Sequence, residues 1–116
     1  IKENLLASAV KIKGLSFIAK EVNIDAGVMK NISFELRKEK KLAVVLAAKT
    51  GGRAILTVML TDDLVSKGMD ASNIIKDIAK EINGSGGGQS FFATAGGDNV
   101  LGISSALKKS KEIIGK

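Results

Sequence analysis

No cysteine and no histidine occur among the 116 residues. Thiolate and imidazole metal sites are therefore excluded, as is nucleophilic catalysis of the Ser–His or Cys–His type. The absence of cysteine also fits a reducing, cytoplasmic setting. Proline is missing too, so no turn and no helix start is set by a pyrrolidine ring. Tryptophan and tyrosine are absent, which leaves four phenylalanines for any base-stacking role. No apolar stretch is long enough to span a bilayer, and the first residues do not read as a signal peptide. A membrane is not an expected partner.

Hydrophobic residues make up 45% of the chain, which is the composition of a globular domain rather than a disordered one. Its length suits one domain with one core. The chain starts on Ile1, so it reads as a piece of a longer protein. Its formal charge is +6, carried by sixteen lysines and only Arg37 and Arg53. Such a balance favours a polyanionic partner, bound through phosphates rather than by bidentate base reading. The plainer reading of the same charge is a solubilising surface.

Hydrophobic periodicity organises the chain. Residues 1–14, with Leu5, Leu6, Ala9, Val10 and Ile12 at helical spacing, predict the end of a helix closed by Gly14. Residues 15–19 predict a short strand, and 20–26 a polar link. Gly27 to Lys38 predicts a helix with Val28, Met29, Ile32 and Leu36 on one face, Asp25 as its cap, and Phe34 at the edge of the stripe. The continuous apolar runs 42–48 and 53–60 predict buried strands. They are joined by a tight turn at Gly51-Gly52, hence antiparallel, and follow a right-handed parallel crossover. Asp70 predicts an N-cap, with Met69 and Ile74 as a hydrophobic staple, for a helix running to Ile82. A last helix is predicted over 102–114, with Ser104 a candidate cap for a later start. The fold class is α/β, a small mixed sheet with packed helices in the order β-α-β-β-α-α.

Three groups of residues carry candidate chemistry. The run Ile82–Gly97 holds Gly84, Gly86, Gly87, Gly88, Gly96 and Gly97 after a helical stretch. As a loop, its N–H groups at Gly86, Gly87, Gly88 and Gln89 would line a concavity for a nucleic-acid phosphate. Alternatively the glycines only permit close packing. Phe91 and Phe92 within the run argue against a solvated linker. The second group is Arg37, Lys38, Lys40 and Lys41, with Lys49 and Arg53 near the following turn. It is either a track for a nucleic-acid backbone or a solvated helix end. The third is Lys108, Lys109 and Lys111, with Lys116, which flank the glycine run if the last helix folds back beside it, and are otherwise a solvated face. Asp62 and Asp63 follow a strand as a carboxylate pair, but turn formation explains them without catalysis.

The segment Leu42–Gly97 resembles the DHHA1-type C-terminal domain of alanyl-tRNA synthetases. That family has a strand pair, an Asp-Leu and a Lys-Gly ahead of a helix, then Gly-x-Gly-Gly-Gly-Arg-Pro-Asp-x-Ala-x-x-Gly-Gly. Here Asp63-Leu64, Lys67-Gly68, the Gly84–Gly88 frame, Ala93 and Gly96-Gly97 stand in register. Gln89-Ser90-Phe91 replaces the family's Arg-Pro-Asp, which removes a cation and a proline. The resemblance implies a tRNA-handling domain without a catalytic centre or cofactor of its own. It places ATP, magnesium and zinc in upstream catalytic and editing domains of the parent chain. It also implies a homodimer in some members, residues 1–14 as the end of a helical linker, and 15–116 as the globular domain. Two alternatives stand beside it. One is the nucleotide-gripping accessory domain of a DHH phosphoesterase, a group that usually has His where Gln89 stands. The other is a dimerisation module built on the apolar face of residues 1–14.

Overall fold

Seven consecutive residues of one strand, Leu42 to Ala48, are each at most 2% exposed. A run apolar on both faces can only sit inside a sheet covered on both sides, and the rest of the molecule is arranged around it. The computed structural model describes residues 2–116. Its elements are α1 (Lys2–Ala7), β1 (Val10–Ile12), β2 (Leu15–Glu21), α2 (Ala26–Leu36), β3 (Leu42–Thr50), β4 (Arg53–Leu60), α3 (Asp62–Ser66), α4 (Ala71–Ile78), β5 (Gly84–Gly88), β6 (Phe92–Gly97) and α5 (Ile103–Ile114). The fold is mixed α/β, with one six-stranded sheet in the order β1-β2-β3-β4-β6-β5. β2 and β3 run parallel across the α2 crossover, and the other neighbours are antiparallel.

Side-chain alternation divides the core in two. Ala43, Val45, Ala47, Leu56 and Val58 face α4 and α5, together with Ile75, Ile78 and Ile103. Leu42, Val44, Leu46 and Met59 face α2, with Met29, Ile32, Leu36 and Leu5 of α1. Each fully buried Leu, Val or Ile contributes about 1.5–3 kcal/mol, so both faces of β3 are energetically committed.

Local signals act where the sequence places them. The Asp25 carboxylate accepts the Val28 N–H at 2.9 Å and caps α2. Asp70 accepts from Ser72 N at the start of α4. Met69 and Ile74 join the same apolar cluster there. Gly51 and Gly52 have φ of 56° and 80°, the two left-handed residues that a two-residue hairpin needs.

Several expectations are corrected. Residues 1–14 are not one helix end: the chain leaves α1 after Ala7 and forms β1, which pairs with β2. Lys13 and Gly14, with φ of 50° and 83°, make a second hairpin turn of the same kind. Ile1 lies outside the described residues. The helix predicted to Lys38 stops at Leu36 with Arg37 as its C-cap. The helix predicted to Ile82 ends at Ile78 and tightens into a 3₁₀ turn over Ala79–Ile82, closed by left-handed Asn83. α5 starts at Ile103 after a 3₁₀ turn, and Ser104 makes no cap. The largest correction concerns the glycine run, which is not a loop. It forms the hairpin β5–β6 and adds two strands to the predicted order.

Two polar side chains tie the start of β3 to the segment that follows β4. The Thr61 hydroxyl accepts the Leu42 N–H at 3.1 Å and donates to Asp63 Oδ1 at 2.6 Å. Asp63 Oδ2 accepts the Lys41 N–H at 2.9 Å. The Thr61 hydroxyl is the main cause, and the Lys41 N–H a further one, that hold the Asp63 carboxyl below the ordinary aspartate value against a smaller opposing effect of desolvation. A carboxyl depressed on folding lends stability above its unfolded pKa of about 4 and loses it as pH falls through the folded value. Thermal melting of Asp63→Asn from pH 6 to pH 2 is therefore expected to be flatter than that of the parent, and lower at neutral pH. Equal slopes for the two proteins refute this role.

Candidate nucleic-acid interface

β5 has no side chain except Ser85, and this shapes the α2 face of the sheet. Gly84, Gly86 and Gly88 oppose Gly97, Ala95 and Ala93 of β6. A Cβ on Gly84 would meet the Gly96 carbonyl, on Gly86 the Thr94 carbonyl, and on Gly97 the Ile82 carbonyl. These glycines are required by the close approach of β5, β6 and the 3₁₀ turn. Gly87 is different: nothing lies within 4 Å of its absent Cβ. By the register it shares a face with Thr94, which is the face of α2.

α2 packs on β3 and β4 and meets β6 at Phe92, leaving β5 and the rest of β6 uncovered. Two connected hollows remain beside it. One, of about 570 Å³, is lined by Ala26, Gly27, Lys30, Arg53, Thr57 and Gly96 among others. The second, of about 220 Å³, lies between Phe34, Phe91, Gln89 and the Gly87–Gly88 backbone.

 Lys30, Phe92 and Thr94 line both, so the two form one groove along α2. Among the described residues no carboxylate lines either hollow. Thr57 is 2% exposed, and its hydroxyl has no hydrogen-bond partner among the described residues. An unpaired buried hydroxyl is costly, which marks this wall of the groove as unusual.

The far end of the groove is aromatic. The Arg37 guanidinium stands 3.8 Å from the centroid of the Phe91 ring and pairs with Asp62 at 3.0 Å. Phe34 packs edge-on to Phe92 at 5.1 Å and stays 40% exposed. Backbone bonds pin the β5–β6 turn: Ala71 N–H donates to the Ser90 carbonyl and Leu60 N–H to the Phe91 carbonyl, both at 2.9 Å.

The predicted site residues are not all brought together. The amide fan over Gly86, Gly87, Gly88 and Gln89 does not form, because N–H groups alternate in direction along a strand and Gln89 N–H is donated to the Phe92 carbonyl at 2.8 Å. Arg37, Lys38, Lys40 and Lys41 lie at the start of β3, whereas Lys49 and Arg53 flank its far end. At about 3.3 Å per residue, the length of β3 separates them, so they are not one patch. Lys49 faces Glu21 at 3.7 Å. Arg53 crosses Gly96 and joins the groove. Lys108, Lys109 and Lys111 ride on α5, on the opposite face of the sheet from the groove, where Lys109 Nζ contacts Glu81 at 3.5 Å and the Asp77 carbonyl at 3.1 Å. Asp62 and Asp63 are taken up by Arg37 and by the Lys41 and Thr61 contacts. Sequence reasoning missed Lys30, Thr57 and Thr94. Phe34, off its helical stripe, and Phe91-Phe92 inside a glycine run were the available signals.

The DHHA1 domain family matches residues 9–116, and the chain belongs to that family. Over 99% of its length it is 44% identical to an alanine–tRNA ligase of Bacteroides thetaiotaomicron and 42% identical to one of Bacteroides fragilis. It spans 13% of the length of each of these relatives. The crystal structure of the C-Ala domain from Aquifex aeolicus alanyl-tRNA synthetase superposes with a TM-score of 0.85 at 22% identity, covering 94% of this chain and 99% of that one. A DHH domain described as a member of the s1p family of ribosomal proteins gives a TM-score of 0.55 at 16% identity, over 97% of this chain and 30% of that one.

The glycines separate by substitution. Gly86→Val is expected to cost about 1–3 kcal/mol or more through overpacking, whereas Gly87→Val should stay within about 0.5 kcal/mol of the parent. Denaturant titration of both variants checks this, and equal losses refute the division of the glycines.

Proposed function

We propose that this member of the DHHA1 family is the C-terminal domain of an alanine–tRNA ligase and engages tRNA, while upstream domains of the parent chain carry the catalysis. The single observation that supports the reading most is 44% identity to an alanine–tRNA ligase across 99% of the chain. The groove supplies a physical basis for the tRNA contact. Lys30 and Arg53 line it, Arg37 at its aromatic end is paired with Asp62, and glycine and threonine form much of its floor, so a phosphate backbone meets little steric resistance. RNA bound in this way is held by charge and shape. A cytoplasmic location follows from the same reading.

The DHH phosphoesterase alternative has less support: the DHH domain shares the fold at a lower TM-score, and Gln89 stands where that group usually has His.

Filter binding of tRNA to the chain between 50 and 200 mM salt tests the proposal. Two phosphate contacts predict a log–log slope of about −1.4 to −1.8. Lys30→Gln and Arg53→Gln should each weaken binding and flatten the slope by about one unit, with unchanged melting. Absence of binding at low salt, or a flat salt response, refutes it.

A further inference from the structure

We propose that the hollow formed by the Phe34–Phe91 ring pair and the Gly87–Gly88 backbone receives one unstacked nucleobase of a bound RNA, with the adjoining phosphate held in the neighbouring hollow by Lys30 and Arg53. This rests on the RNA-binding reading above and adds to it a single-stranded or extruded nucleotide as the feature recognised.

Four observations converge on the slot. Its volume of about 220 Å³ is below the 300–1,000 Å³ of typical drug-sized sites and suits a single flat ring. One rim is Phe34, an aromatic ring 40% exposed on a helix, where burial would otherwise be favoured. Phe91 touches Phe34, with centroids 6.1 Å apart and tilted by 57°, and is held by Arg37 at 3.8 Å from its ring centroid and by the pinned turn, so a base lies against Phe34 beside this pair rather than between the rings, in a hollow that does not have to be ordered when it arrives. The floor at Gly87 is open where a side chain would fill it.

The chemistry around the slot is complementary to a nucleotide. Lys30 lies 5.7 Å from the Phe34 centroid and lines both hollows, so it sits between the base position and the phosphate position. The exposed Gln89 side chain offers an amide donor and acceptor beside the slot. In the neighbouring hollow, the unpartnered Thr57 hydroxyl supplies a donor for a phosphate or ribose oxygen.

The test compares three probes on the 116-residue chain: a single-stranded hexaribonucleotide, the same hexamer with abasic positions, and a blunt RNA duplex. Stacking on an aromatic is worth about tenfold in affinity per base. Phe34→Ala and Gly87→Val, which respectively remove a wall and fill the floor, should each weaken hexamer binding about tenfold and leave the abasic hexamer unaffected. Thr57→Val should weaken the hexamer and the abasic hexamer alike. Equal affinity for hexamer, abasic hexamer and duplex, with Phe34→Ala neutral, overturns the base slot; if tRNA still binds with a steep salt dependence, the proposed function survives that result. Failure of tRNA and all three probes to bind at low salt overturns both.

Discussion

β5 and β6 approach each other more closely than a Cβ on Gly84, Gly86 or Gly97 would permit, and the character of the α2 face follows from that contact. A strand whose one side chain is Ser85 buries little apolar area, so it gives a helix little to pack against. α2 accordingly settles over β3 and β4, where Leu42, Val44, Leu46 and Met59 reward it. The remaining width of the sheet stays open on that side. On the other face α4 reaches across to β6 through Ala93 and Ala95, and the stability of the hairpin comes from there. The same glycines therefore hold one face shut and leave the other as a groove.

This division explains why the cations matter by position rather than by number. The densest basic stretch, Arg37 to Lys41, is only partly relevant to the groove: Arg37 stands on Phe91, while Lys41 serves the chain through its backbone N–H. Lys30, alone in sequence among uncharged neighbours, occupies the junction of the two hollows. Arg53 reaches the groove because strand alternation puts it on the same face as Ile55 and Thr57. Charge density along the chain and charge density in space are different quantities, and the sheet register relates them.

The parts of the fold legible in the sequence were those governed by local rules with one outcome. Continuous apolar runs at 42–48 and 53–60 have no stable home except a covered sheet, and Gly51-Gly52 between them admits a hairpin. Asp25 and Asp70 act as caps because a carboxylate ahead of a helix has free N–H groups to accept from. Gly14 was illegible because a left-handed residue ends a helix and turns a hairpin equally well. With apolar spacing that suits α1, nothing local separates the two outcomes, and pairing with β2 decides. The glycine strand is a stronger case. Gly84–Gly88 has the lowest strand propensity available, and only β6 beside it makes it a strand.

The site was partly legible for a related reason. Glycine clustering marks close approach, but it does not say what approaches. For Gly84, Gly86 and Gly97 the partner is the protein's own backbone; for Gly87 it is open space. The distinction is a matter of which face each residue occupies, and that needs the register with β6. Phe34 carries the same ambiguity: off its helical stripe, it reads as an edge residue until Phe91 and Phe92 are found against it, when its exposed area becomes one wall of a slot. Where neighbouring β strands are assembled from residues of low propensity, binding surfaces arise from what the strands fail to cover. The groove is therefore a consequence of tertiary packing, and its chemistry is set by the few side chains that β4 and α2 project into the uncovered width.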